Sequence, residues 1–132
     1  MARLSRLIFG AALAAAAVTP AFAAPRISPE ARLDKLIGDR MAGQPVKCIN
    51  LRDIRSSQII DGTAIVYRVG SRLYVNRPQS GARWLDDDDI LATRTIGSQL
   101  CRIDTVKLID RTAHFPRGFV ILGDFVPYSR SR

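Results

Sequence analysis

The stretch Ser57-Gln58-Ile59-Ile60-Asp61-Gly62-Thr63-Ala64-Ile65-Val66-Tyr67-Arg68-Val69-Gly70-Ser71-Arg72-Leu73-Tyr74-Val75-Asn76 decides the fold. Apolar and β-branched runs are cut by two pairs, Asp61-Gly62 and Gly70-Ser71, whose residues accept the positive φ angles of tight turns. The pattern predicts three consecutive antiparallel strands, Ser57 to Ile60, Thr63 to Val69 and Arg72 to Asn76. A two-residue Gly70-Ser71 loop sets Tyr67 opposite Tyr74, Arg68 opposite Leu73 and Val66 opposite Val75. Side chains alternate across a strand, so one face carries Val66, Leu73 and Val75, with Arg68 at its edge. The other carries Ile65, Tyr67, Val69, Arg72, Tyr74 and Asn76. The first face is the expected core. The second is expected to be partly exposed, aromatic and basic.

Upstream, Ser28-Pro29-Glu30 reads as a helix start, with a serine cap, proline at the first helical position and an acid near the positive dipole end. Leu33, Leu36, Ile37 and Met41 come next at helical spacing, Gly38 weakens the middle, and Gly43 and Pro45 close a helix of about three turns. So short a helix needs a sheet to lie on. Val46 to Leu51 reads as a strand and Asp53 to Ser56 as a tight turn. Downstream, strands are expected at Ile90 to Thr95, Leu100 to Val106 extending towards Ile109, Gly118 to Leu122 and Phe125-Val126, with Pro127 stopping the last before a polar tail. The predicted class is α+β: one N-terminal amphipathic helix packed on an antiparallel meander or small open barrel of about five to seven strands.

The chain of 132 residues leaves room for a single domain, and its 47% hydrophobic content excludes a disordered or collagen-like polypeptide. Residues 1–23 have the three-part plan of a secretory signal. Arg3 and Arg6 precede an apolar or small-residue run from Leu7 to Val18, and Pro20-Ala21-Phe22-Ala23 offers small residues for cleavage after Ala23. Membrane spans need roughly 20 apolar residues, and this run is shorter. The two arginines are not adjacent, so the reading is a Sec-type signal rather than a twin-arginine one. The expected mature chain, residues 24–132, has 18 Lys and Arg against 12 Asp and Glu, a net charge of +6. The expected location is the periplasm or the exterior, with no transmembrane segment in the mature chain.

Cys48 and Cys101 are the two cysteines. In an oxidising compartment an even pair most often forms one disulfide, while two buried thiols and a metal or redox role are the alternatives. Five segments belong together: Gly43-Gln44-Pro45-Val46-Lys47-Cys48-Ile49, Ile60-Asp61-Gly62-Thr63-Ala64-Ile65, Tyr74-Val75-Asn76-Arg77, Ser98-Gln99-Leu100-Cys101 and Leu122-Gly123-Asp124-Phe125. They resemble a family of small exported bacterial proteins of unknown function, over nearly the whole mature chain. Many members carry two further cysteines, where this chain has Arg83 and Ile121. The resemblance implies that this second pair bonds with itself, which leaves Cys48 to bond Cys101. It supplies no catalytic residues.

Arginine dominates the cations, with 15 Arg against three Lys in residues 24–132. Its planar fork bonds carboxylate and phosphate and stacks on aromatic rings. Arg52, Arg55, Arg68 and Arg72, with Tyr67 and Tyr74, form the candidate anion-binding surface. The sole histidine, His114, lies in a loop-like stretch and is the one candidate general base. Asp86 to Asp89 lack the alternation of a calcium loop and read as a solvated turn. No cofactor, metal or nucleic acid is expected. The leading reading is a noncatalytic exported module that binds an anionic envelope component or a protein. The alternatives are a structural or stress-related envelope protein without a ligand, and a small exported hydrolase using His114.

Overall fold

A computed structural model describes residues 10–131. Over these residues the protein is β-rich, with one short helix and antiparallel sheets that do not close into a barrel. Of the expected leader, residues 1–9 lie outside the described residues, and 10–23 are exposed without helix or strand. The helix, α1, spans Pro29–Ile37. Ser28 Oγ accepts the Ala31 N–H at 3.2 Å. Gly38, at φ 62°, ends the helix by donating its N–H to Asp34 O. The helix is thus shorter than the periodicity suggests. Gly38 is its stop rather than a weak middle, and Met41 belongs to a strand.

Beyond the helix the described residues form ten strands, more than the five to seven expected. They are β1 (Met41–Ala42), β2 (Cys48–Asn50), β3 (Ile54–Ile60), β4 (Ala64–Val69), β5 (Arg72–Asn76), β6 (Ile90–Thr93), β7 (Gln99–Cys101), β8 (Thr105–Ile109), β9 (Pro116–Ile121) and β10 (Phe125–Ser129). They form a five-stranded sheet in the order β1-β10-β5-β4-β3, a two-stranded sheet β2-β7 and a three-stranded sheet β6-β8-β9. The β4–β5 register has Tyr67 opposite Tyr74, Arg68 opposite Leu73 and Val66 opposite Val75, as the turn arithmetic requires. The first turn differs: Ile60 pairs with Ala64, so the loop has three residues, with Gly62 at φ 59° supplying the left-handed position.

Four other expectations are corrected. Ile54 to Ser56 are strand rather than turn, and the register shifts there with Arg55 as the extra residue. The single strand expected from Leu100 is broken into β7 and β8, because Asp104 Oδ2 accepts the Cys101 N–H and Ile103 turns at φ 71°. Pro127 does not stop β10. It pairs with Tyr74, and its carbonyl, the only ladder group proline keeps, accepts the Gly43 N–H at 2.7 Å. Finally, both faces of the meander are buried. On one, Leu33 of α1 packs with Ile60, Ala64, Val66, Leu73 and Val75. On the other, expected to be partly exposed, Ile65 and Tyr67 meet Leu100, Val106, Leu108, Val120, Leu122 and Phe125. The later strands alternate their apolar residues and supply that second layer.

Cys48 and Cys101 stand opposite each other in the β2–β7 register and form a disulfide, with Cα atoms 4.0 Å apart. Among the described residues, no helix is long and apolar enough to cross a membrane.

Candidate functional site

The register of the five-stranded sheet sorts the arginines by end. Met41 pairs with Ser129, Arg72 with Val69, and Val69 with Ile54. Ser129 adjoins Arg72, whose Nε donates to its Oγ at 3.0 Å. These five residues form the last row of the sheet at the β4–β5 turn. Arg40 and Arg130 lie one residue beyond it, Arg52 and Arg55 flank the start of β3, and Arg68 lies one residue inside. One end of the sheet therefore carries six arginines.

Their bonding differs. Arg40 donates to the carbonyls of Leu36, Ile37 and Ser71, so it caps the C-terminal end of α1, where a cation offsets the helix dipole. Arg130 reaches Asp39 at 3.9 Å in an exposed pair. Arg72 binds only hydroxyls, those of Ser129 and Tyr74, which leave its charge uncompensated. Among the described residues, Arg52, Arg55, Arg68 and Arg72 have no ion-pair partner. Arg52, Arg55 and Arg72 are exposed, and Arg68 is half-buried.

The candidate surface is thus brought together in part. Arg68 and Arg72 share an end of the sheet but occupy opposite faces: Arg68 lines a crevice with Leu36, and Arg72 bonds Tyr74 on the other side. Tyr74 is half-buried and reaches the surface through Arg72. Tyr67 does not belong to a surface. It is 4% exposed, with its ring centroid 5.8 Å from that of Phe125. Burial holds its phenol well above the ordinary tyrosine range, and its hydroxyl has no hydrogen-bond partner. The residue that the sequence reading did not single out is Arg40, which closes the end of the helix.

The opposite end, at the β3–β4 turn, is acidic and differently wired. Arg32 of α1 bridges Asp61 at 3.4 Å and Asp87 at 3.1 Å. Asp61 also accepts the Asp87 N–H through Oδ1, which ties the aspartate run to the hairpin. Carboxylate oxygens of Asp61, Asp86 and Asp87 lie within 4.8 Å of one another, and a guanidinium already occupies the cationic position there. Asp89 is buried with Arg117 Nη2 at 3.2 Å from its Oδ2. The run expected as a solvated turn is thus a buttress in part. A strand of six residues spans about 20 Å, so the two ends are separated by two Debye lengths at physiological salt.

His114 is exposed in the β8–β9 turn, at φ 58°, with its N–H donated to Asp110 O. Asp110 accepts the Ala113 and Thr112 N–H groups, which hold its carboxyl below the usual range. This is the bonding of a turn. Trp84 is 50% exposed, and the Arg83 guanidinium sits 5.1 Å from its ring centroid. Comparison with family models, with curated proteins and with solved structures finds no match to the chain.

Proposed function

We propose that this chain is a noncatalytic exported binding module, of the small exported bacterial family it resembles, whose cationic end docks an anionic envelope component. The observation that carries this reading is the division of the arginines. Arg32, Arg77, Arg102 and Arg111 lie against carboxylates elsewhere in the fold, whereas Arg52, Arg55, Arg68 and Arg72 have no ion-pair partner among the described residues. Unmatched guanidiniums at one end of a sheet, three of them exposed, present forked donors to phosphate or carboxylate and raise the local potential. In this reading the α+β platform, with its helix stacked on the meander, serves to hold that end rigid. Export is supported by residues 10–28, which carry no helix or strand, so cleavage after Ala23 leaves the packed fold intact. It is supported also by the disulfide, a bond that persists in oxidising compartments.

A pull-down from envelope extract tests the reading. Material retained at low salt is released as screening rises to about 0.5 M salt. A chain carrying Arg52→Glu, Arg55→Glu and Arg68→Glu retains nothing while keeping its circular dichroism spectrum. Retention indifferent to both salt and charge reversal would sink the reading.

A further inference from the structure

β3 is the last strand of the five-stranded sheet and β6 the first of the three-stranded one, so each has a ladder on one side only. The two edges border one groove of about 450 Å³, lined by residues 57–59 of β3 and by Asp89, Ile90 and Leu91 on the β6 side. A second groove, of about 710 Å³, lies on the helix side against Leu36 and shares Gln58 with the first. The free edge of β3 is therefore flanked on both faces of the sheet. Natural sheets guard such edges with Pro, Lys or inward charges. Beyond the extra residue Arg55, this one reads Ser56-Ser57-Gln58-Ile59-Ile60 and has none.

The wall of the inner groove holds an unmet demand. The Asp89 side chain is 4% exposed, and its Oδ2 accepts no hydrogen bond. Arg117 is near enough to attract it, but that guanidinium directs its Nη2 hydrogen bond to Trp84 O at 3.4 Å. Arg111, on the rim, pairs with Asp88 instead. A buried carboxylate in this state gains from any N–H donor of positive charge brought into the groove.

We propose that this groove receives an extended segment of a partner protein, added as a strand to the free edge of β3, with a lysine or arginine side chain set against Asp89. Side chains of an added strand alternate. Those sharing the face of Ser57 and Ile59 enter the inner groove, and those between them lie over Leu36 on the helix side. The recognised pattern is a basic residue flanked at alternate positions by apolar ones. This site is separate from the cationic end and does not depend on it.

The test is a titration of the uniformly ¹⁵N-labelled protein, purified from cells, with the peptide acetyl-Thr-Leu-Lys-Leu-Thr-Leu-amide, monitored by amide chemical shifts. The expected result is shifts confined to β3, β6 and Asp89, with Kd in the range of about 0.1–1 mM. Replacing the lysine of the probe by glutamate weakens binding by about fivefold or more. Asp89→Asn brings the two peptides to within about twofold of each other, and the probe comparison on the unaltered protein stands whether or not that variant folds. Three outcomes overturn the proposal. One is the absence of any shift at about 5 mM probe. Another is preference for the glutamate peptide, with shifts at the arginine-rich end. The last is a concentration-dependent dimer through β3 that the peptide does not displace, which assigns the edge to a second copy of the chain.

Discussion

Tyr67 brings a hydroxyl into the layer between the sheets, where nothing bonds to it. A buried, unpartnered hydroxyl costs about 1–3 kcal/mol. Tyr67→Phe is therefore expected to raise the melting temperature, as differential scanning calorimetry will measure. The same burial makes stability depend on pH. The phenol titrates higher in the folded state than in the unfolded one, so its neutral form favours the fold. That contribution is fully present below about pH 10 and is lost as the pH rises further, because the unfolded chain ionises first. Tyr67→Phe should flatten the alkaline limb of the stability curve. A variant with unchanged alkaline sensitivity would show that another group governs it. Asn76 is the opposite case. Fully buried, it donates to Gly123 O at 2.7 Å and accepts the Gly123 N–H at 3.0 Å, acting as a strand partner for one glycine. A Cβ on Gly123 would collide with the Arg77 carbonyl oxygen, so the position also excludes any side chain. Asn76→Ala strands both backbone groups, and chemical denaturation should report a loss of about 2–4 kcal/mol.

At the scale of elements, the two-stranded sheet β2-β7 is the weakest unit on its own. An isolated pair of strands is marginal in water. Here the Cys48–Cys101 bond and the packing of Ile49 and Leu100 into the core hold it. Closing a 53-residue separation stabilises the fold by about 4 kcal/mol in the loop-entropy account. Reduction is expected to speed amide exchange in residues 48–50 and 99–101 before it affects β4 and β5, which hydrogen-exchange mass spectrometry resolves. Uniform acceleration across all strands would mean that the bond staples the whole fold rather than this pair. The helix is tied at both ends by side chains from elsewhere. Glu30 in its first turn receives a two-pronged bond from Arg77, which holds its carboxyl below the usual range, and Arg40 closes its last turn.

Across the whole molecule the arginines are unevenly matched: Arg32 and Arg111 lie against aspartates near the β3–β4 turn, and Arg52, Arg55, Arg68 and Arg72 have no ion-pair partner among the described residues. The described residues before the helix add no element to this arrangement. A chain beginning at Ala24 is expected to melt at the same temperature as the complete one, and mass spectrometry of protein recovered from an exporting cell should show that start. Melting that falls on removal of residues 1–23 would mean that those residues pack against the domain.

The order of turns, the register of β4 on β5 and the helix start were legible in the residues, because each depends on local geometry. Gly70-Ser71 sets its own pairing, and Ser28-Pro29 starts the helix from its own first turn. The position of the candidate arginines along the sheet could be read from that register. So could the separation of Arg68 and Arg72 onto opposite faces, whereas the loss of Tyr67 to the core could not. Alternation identifies two faces without saying which of them another layer will cover. Only the return of β7, β8 and β9 over the Tyr67 face decided that, by bringing Val106, Leu108, Val120 and Leu122 from far along the chain. The opposed edges of β3 and β6 and the buried Asp89 between them are likewise products of tertiary packing, since no local pattern relates residue 58 to residue 89. Sequence alone determined what depends on neighbours within a few residues. The layers, the grooves and the division of charge were decided by contacts between distant segments, whose free energy lies in shared burial rather than in any one stretch.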